Sequence, residues 1–213
     1  MAEIIEVFEQ SAQEYDAWFD RHQAVYQSEL LALKAFLPAA GRGLEIGVGT
    51  GRFAGPLGIG TGVEPAPAMA AMARNRGIKV LEAYAEELPF GPGVFDFALM
   101  VTVLCFLKDP RQGLKEAGRV LKEGGRLIIG LLDADTPLGR LYEEKKAESK
   151  FYRQARFYQV GRVIQWLQDL GFGTIATGQT LVQELPLITE VEPVLPGHGR
   201  GGFVVLMAQK NEA

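Results

Sequence analysis

Three glycines at alternating positions, Gly47, Gly49 and Gly51, follow directly on the run Leu44-Glu45-Ile46, which carries one carboxylate. A backbone without Cβ atoms at that spacing turns sharply and lets a ligand lie against its main chain. Nucleotide-type cofactors require such a turn at the carboxyl end of the first strand of a doubly wound α/β sheet. Farther on, Thr61-Gly62-Val63-Glu64-Pro65 reads as a short strand ending in a second carboxylate. A carboxylate there accepts both hydroxyl hydrogen bonds of a ribose diol. Two other places carry reactive side chains. Cys105 lies in Thr102-Val103-Leu104-Cys105-Phe106, and His198 and Arg200 lie in the glycine-rich Pro196-Gly197-His198-Gly199-Arg200-Gly201-Gly202. A cysteine offers a nucleophile or a soft ligand, although in an apolar run it is more often buried packing. An imidazole beside a guanidinium offers a base and an anion clamp, or simply a hairpin tip.

The elements that must position these residues alternate between strand and helix. The stretch Thr50 to Gly60, interrupted by Pro56, suggests a compact first helix. Pro67 suits a first helical turn and Ala68 to Arg76 are mostly strong helix formers. Lys79 to Ala83 and Val94 to Val101 read as strands. A helix from Pro110 to Leu121 should stop at Glu123-Gly124-Gly125 and release the strand Arg126 to Leu132. After Asp133 to Arg140, the stretch through Tyr158 reads as helical and mixes Tyr142, Phe151, Tyr152, Phe157 and Tyr158 with Lys145, Lys146 and Arg153. The aromatics suit a flat or apolar ligand and the cations a carboxylate or phosphate; an ordinary amphipathic helix is the competing reading. Ahead of the glycines, Phe8, Tyr15, Trp18 and Phe19 recur at helical spacing, as core-facing residues do.

Bulk properties set limits. A chain of 213 residues is long enough for one domain with a full core, needing neither metal nor disulfide. One cysteine excludes an internal disulfide framework and fits a reducing cytoplasm. No apolar run approaches a membrane span, and the start MAEIIEVFEQ is too acidic for a signal peptide. A net charge of −4 with scattered Lys and Arg argues against a nucleic-acid surface.

The ordered set LEIGVGTG, GVEP, AEELPF, FDFALMV and RVLKEGGRLIIG, over roughly residues 42 to 132, resembles the class I S-adenosylmethionine-dependent methyltransferases. The closest likeness is to the small-molecule group of quinone-biosynthesis type. The resemblance implies an α/β fold: a doubly wound, Rossmann-like, seven-stranded, mostly parallel sheet. Its order is 3-2-1-4-5-7-6, with the last strand antiparallel and helices on both faces. It implies a single domain over 1–213, with a helical cover (1–40), a cofactor core (41–132), a lid-like insertion (133–158) and a C-terminal helix and hairpin (159–213).

The same resemblance implies S-adenosylmethionine as cofactor, S-adenosylhomocysteine as product and a small-molecule acceptor. Gly47, Val48, Gly49 and Gly51 would pass beneath the methionine portion with N–H groups available to it. Glu45 would act near its ammonium, directly or by fixing the loop. Glu64 would take the ribose hydroxyls and Pro65 would pack on the adenine. Tyr84, Ala85 and Glu86 would close on the adenine edge, with Tyr84 standing where relatives carry an acid, so that its hydroxyl or Glu86 makes that contact. Val101 and Thr102 would offer carbonyls, and Tyr15 would touch the methionine tail from the cover. Cys105-Phe106 replaces a histidine pair of relatives. The last hairpin should place His198 and Arg200 on the cofactor side, leaving Cys105, His198 and Arg200 as catalytic candidates. A non-catalytic cofactor-binding module is the alternative. A nicotinamide enzyme fits less well, because Arg52 stands where its fingerprint wants a third glycine.

Overall fold

The computed structural model describes residues 2–212. Three helices open the chain: α1 (Ala2–Gln10), α2 (Ala12–Arg21) and α3 (Gln23–Lys34). The strands β1 (Gly43–Ile46), β2 (Thr61–Val63), β3 (Lys79–Leu81), β4 (Phe95–Val101) and β5 (Leu121–Leu132) follow, with α4 (Pro67–Asn75) and α5 (Pro110–Val120) between them. The chain ends with α6 (Pro137–Lys145), α7 (Val160–Asp169), β6 (Phe172–Thr180), β7 (Leu195–Pro196) and β8 (Phe203–Lys210). The sheet order is β3-β2-β1-β4-β5-β8-β6-β7. The first five strands pair in parallel and β8 runs antiparallel between β5 and β6. This is the expected order, with the two-residue β7 added at the edge beyond the seven expected strands.

Period-two alternation divides the core. Ala98, Met100, Leu127, Ile129, Val204 and Leu206 point to one face and pack with α5 and α7. Phe97, Leu99, Val101, Ile128, Phe203 and Val205 point to the other and meet α3 and α4. Prolines start α4, α5 and α6, where a missing N–H costs nothing. Asp109 and Thr136 cap the latter two through Gln112 and Gly139 N–H. Asp96 braces the start of β4, accepting from Arg42 N–H at 2.7 Å and pairing with Lys122. No helix among the described residues is long and apolar enough to cross a membrane.

Three expectations of local structure need correction. Residues 50–58 form successive turns and no regular helix: Pro56 lacks a donor and the segment closes with Ile59 N–H on Ala54 C=O. α5 ends at Val120 and β5 begins at once, with residues 122–125 bulging out between the pairs Phe95–Leu121 and Phe97–Arg126. The stretch expected to be helical from Arg140 to Tyr158 leaves α6 at Lys145. It returns to the sheet edge through Arg156 N–H on Cys105 C=O and Ala134 N–H on Tyr158 C=O. Aromatic residues at 151, 152, 157 and 158 do not share one helical face, and the turn lets Phe151 and Tyr152 face inward.

The helical cover is fastened by charge. Arg52 pairs with Asp16 at 2.6 Å and with Asp20 at 2.7 Å, and Arg76 reaches Asp16 at 2.9 Å. Burial pushes the Asp16 carboxyl up, but the hydrogen bonds from Arg52 and Arg76 win and hold it at about 2. Its contribution is therefore full above the ordinary aspartate value of 3.8 and is lost as pH falls through about 2. Asp16→Asn should destabilise the cover by about 3 kcal/mol, since it leaves two guanidinium groups short of a charge. Hydrogen exchange would show faster α2 amides with little change in β4 and β5; uniform protection would refute the fastening role.

Candidate active site

The strand order reverses between β1 and β4, and the glycine loop leaves β1 at that point. Gly47 and Val48 both donate N–H to Val63 C=O at 2.9 Å, and Gly49 donates to Glu64 Oε2 at 3.0 Å. These three N–H groups are thus held by the end of β2 and are not left for a ligand, because buried amides take a partner wherever one is in reach. The glycines also do separate jobs. A Cβ on Gly47 would sit 2.5 Å from Val103, and one on Gly51 would sit 2.6 Å from Ile78. Gly47 and Gly49 border the open cleft, whereas Gly51 packs beneath α4.

That cleft is lined by most of the expected cofactor residues: Tyr15, Gly47, Gly49, Glu64, Pro65, Tyr84, Ala85, Glu86, Val101 and Thr102. Glu64 is oriented at both oxygens, with Ala66 N–H on Oε1 at 3.0 Å opposite the Gly49 bond. Burial pushes its carboxyl up to about 7 against the pull of those two N–H groups. Glu86 accepts Lys108 N–H at 3.0 Å through Oε1, while its Oε2 is buried without a partner. Tyr84 stands half exposed at the rim. Thr102 adopts a left-handed φ of 51° at the end of β4 and donates its hydroxyl to Val101 C=O at 2.8 Å. That backbone state costs a non-glycine residue about 1 kcal/mol or more, a cost met at sites that need a particular chain direction.

Three expected cofactor residues do not reach the cleft. Val48 turns its side chain onto Gly62 and Gly51 lies under α4. Glu45 is fully buried behind the loop, bonded to Ala54 N–H, and burial holds its carboxyl well above the usual range. Its side chain therefore does not line the cleft. Conversely Ile4, Ile5, Phe8, Met69, Val103, Phe106 and Leu107 also line the cleft. Phe8 was legible only as one member of the aromatic periodicity of the cover.

A second chamber adjoins the first across a shared wall of Phe8, Tyr15, Thr102 and Phe106. It is built largely of rings: Trp18, Phe19, Phe53, Tyr142, Phe151 and Tyr152 complete it with Val25, Leu132, Leu138, Leu181 and Leu185. Phe151 stacks on Phe8 at 5.5 Å and Tyr152 on Phe106 at 5.7 Å, so the insertion roofs the chamber against the cover. The cations of the insertion face away: Lys145 and Arg153 are exposed and Lys146 pairs with Glu143. The expectation that they serve an anionic ligand is therefore not met by the geometry. Among the described residues, the one ionisable group in the chamber other than tyrosine is Glu29 of α3.

A methyltransferase-domain family model matches residues 44–129, the strands and loop that carry this cleft. A crystal structure from Thermotoga maritima, described as a SAM-dependent methyltransferase and possible histamine N-methyltransferase, superposes with a TM-score of 0.94. It is 48% identical, over 97% of this chain and 99% of that one. The chain belongs to the S-adenosylmethionine-dependent methyltransferases. An uncharacterised Methanocaldococcus jannaschii protein, MJ1123, is 50% identical over 96% of this methyltransferase and 98% of its own length. A rice 2-methyl-6-phytyl-1,4-hydroquinone methyltransferase is 30% identical over 97 residues, 45% of this chain and 27% of its own.

The catalytic candidates of the methyltransferase do not gather around the two chambers. Cys105 donates its thiol to Thr102 C=O at 3.2 Å and opens onto a small separate pocket beside Leu104 and Tyr158. Burial pushes its thiol up to about 12, opposite to what a nucleophile needs. His198 and Arg200 lie at the expected end of the sheet but are exposed and line neither chamber. Gln179 accepts Arg200 and Gly201 N–H, both at 2.8 Å, and draws the loop tip back onto β6. From the same connection, Leu181 and Leu185 reach the chamber instead.

The raised carboxyls give the methyltransferase a definite pH response. Glu29 keeps its proton in the folded chain to about 8 and Glu64 to about 7, against 4.5 when unfolded. Between those values the folded state binds more protons, so stability falls as pH rises. The ligand-free protein should melt at least about 5 °C lower at pH 8 than at pH 5.5, with Glu29→Gln flattening part of the slope. A melting temperature that does not move across this range would contradict it.

Proposed function

We propose that the methyltransferase holds S-adenosylmethionine in the cleft above β1, β2 and β4 and transfers its methyl group to a small molecule in the aromatic chamber. The observation that carries this reading is the shared wall: one partition of Phe8, Tyr15, Thr102 and Phe106 bounds both spaces. Bound cofactor would supply a methyl group on a sulfonium, whose leaving group is a neutral thioether. With so good a leaving group, rate comes chiefly from holding the acceptor atom in line.

The residues present fit such a cofactor. Each Glu64 oxygen already accepts one N–H and retains a lone pair for a ribose hydroxyl. Pro65 and Met69 form an apolar edge beside it. The unpartnered Oε2 of Glu86 is the kind of acceptor that an exocyclic amine completes, which favours Glu86 over the rim residue Tyr84 for that contact. Tyr15 caps the loop, with its ring edge 3.8 Å from a Cβ built on Gly49. The acceptor side is enclosed by side chains from the cover, the insertion and the last connection, a space suited to a small molecule.

Calorimetric titration with S-adenosylhomocysteine, with NADH as the parallel ligand, tests the cleft. Wild type should bind the nucleoside at micromolar concentration and ignore NADH. Glu64→Ala should weaken binding about 100-fold, the loss of hydrogen bonds to a charged group worth about 2.7 kcal/mol. Undiminished binding in the variant would remove Glu64 from the ribose, and a preference for NADH would reverse the cofactor assignment.

A further inference from the structure

Neither the fold nor the cofactor cleft uses the carboxyl of Glu29. It sits on α3 at 7% exposure, borders the aromatic chamber, and burial is the only influence acting on it: among the described residues, no hydrogen bond or neighbouring charge offsets the desolvation. Its neighbour Ser28 is engaged with Ala24 C=O and Glu192 N–H and offers it nothing. Among the described residues no Lys, Arg or His lines the chamber, and the groups that feel its charge are the hydroxyls of Tyr15, Tyr142 and Tyr152. A buried carboxyl without a partner is costly, and it stands in the chamber read above as the acceptor site.

We propose that Glu29 binds the acceptor: it pairs with the ammonium of a small amine carrying a flat, apolar body and takes the proton that must leave before the nitrogen is methylated. The inference rests on the two-chamber reading and names the substrate class for it. Without a ligand the buried carboxyl holds its proton; an ammonium lets it ionise by supplying the opposite charge, and the ring faces of the chamber attract the same cation. An anionic acceptor would oppose that ionisation in a space where no Lys, Arg or His side chain is found among the described residues. A neutral alcohol would supply one hydrogen bond and no charge.

The proton step balances simply. One N–H bond of the ammonium breaks, its electron pair stays on nitrogen, and the proton forms an O–H bond with Glu29. The freed pair then makes the N–C bond as the methyl–sulfur bond breaks, with that bond's electrons remaining on sulfur. Glu29 gives its proton up to water as the next ammonium binds and pairs with it. Burial, which raises the Glu29 carboxyl to about 8, brings its basicity closer to that of an amine.

The test titrates the complex with S-adenosylhomocysteine, using 2-phenylethylamine and its neutral counterpart 2-phenylethanol as probes. Wild type should bind the amine at least about tenfold more tightly than the alcohol. Glu29→Gln should erase that preference while its affinity for S-adenosylhomocysteine stays within about twofold; Glu29→Asp, which keeps the charge, should retain part of it. Equal affinity for the two probes in wild type, no binding of either, or an unchanged preference in Glu29→Gln would each overturn the role of Glu29 while leaving the cofactor assignment standing. Failure of wild type to bind S-adenosylhomocysteine would instead bring down the reading beneath it.

Discussion

Two groups at the end of β2 govern the rest of the site. Val63 C=O takes the N–H of Gly47 and of Val48, and the Glu64 carboxylate takes that of Gly49. These bonds fix the path of the loop against β2, and they need β2 to come very close. A Cβ on Gly62 would lie 2.7 Å from Val48, so the strand has glycine at the point of contact. The consequence runs outward. Because these three loop amides are satisfied internally, the proposed polar recognition falls to a carboxylate that is already aimed. Under the proposed ribose contact Glu64, held by two N–H groups, would lose little freedom on binding, and preorganisation of this kind reduces the ordering cost.

Electrostatics of the interior follow from the same economy of donors. Glu29, Glu45 and Glu64 are all pushed up by burial, and among the described residues no Lys, Arg or His side chain lines either chamber. Tyr15 stands between them. Burial raises its hydroxyl first and the charges of Glu29, Glu64 and Glu45 raise it further, so it stays a neutral phenol in the partition. An interior of this sign suits ligands that arrive positive. Loss of charge on transfer of a methyl group weakens the attraction, which favours release of the used cofactor over the fresh one.

The cofactor half was legible because it is written in short range. Glycines 47 to 51 and Glu64 stand at fixed distances along adjacent strands, so their spacing aligned them, and the sheet order came with the resemblance to class I methyltransferases. Even there, the partners of the loop N–H groups could not be read, since they depend on how closely β2 approaches. The acceptor half is assembled from α1, α2, α3, the insertion and the 181–185 segment, which meet only in space. Glu29 lies in an ordinary-looking amphipathic helix between Ser28 and Leu30, and nothing local marks its burial. His198 and Arg200 drew notice by composition and topology, yet the Gln179 side chain decides their direction.

The roof is held unequally, and that inequality bears on entry to a site so enclosed. On the α2 side, the partly buried Asp16, Arg52 and Arg76 form a connected charge network. On the other side, the insertion meets the cover through the exposed pair of Lys150 with Glu14 of α2, through Gln154 on Glu3 of α1 at 2.7 Å, and through the stacked rings of Phe8 and Phe151. Exposed pairs contribute about 0–1 kcal/mol each, much less than a buried network. The seam that parts at least cost therefore runs between the insertion and the cover, directly over the wall of Phe8 and Phe106 that both chambers share. Opening there exposes the cofactor cleft and the acceptor chamber together, whereas opening at α2 would first have to break the charges that hold the glycine loop to the cover.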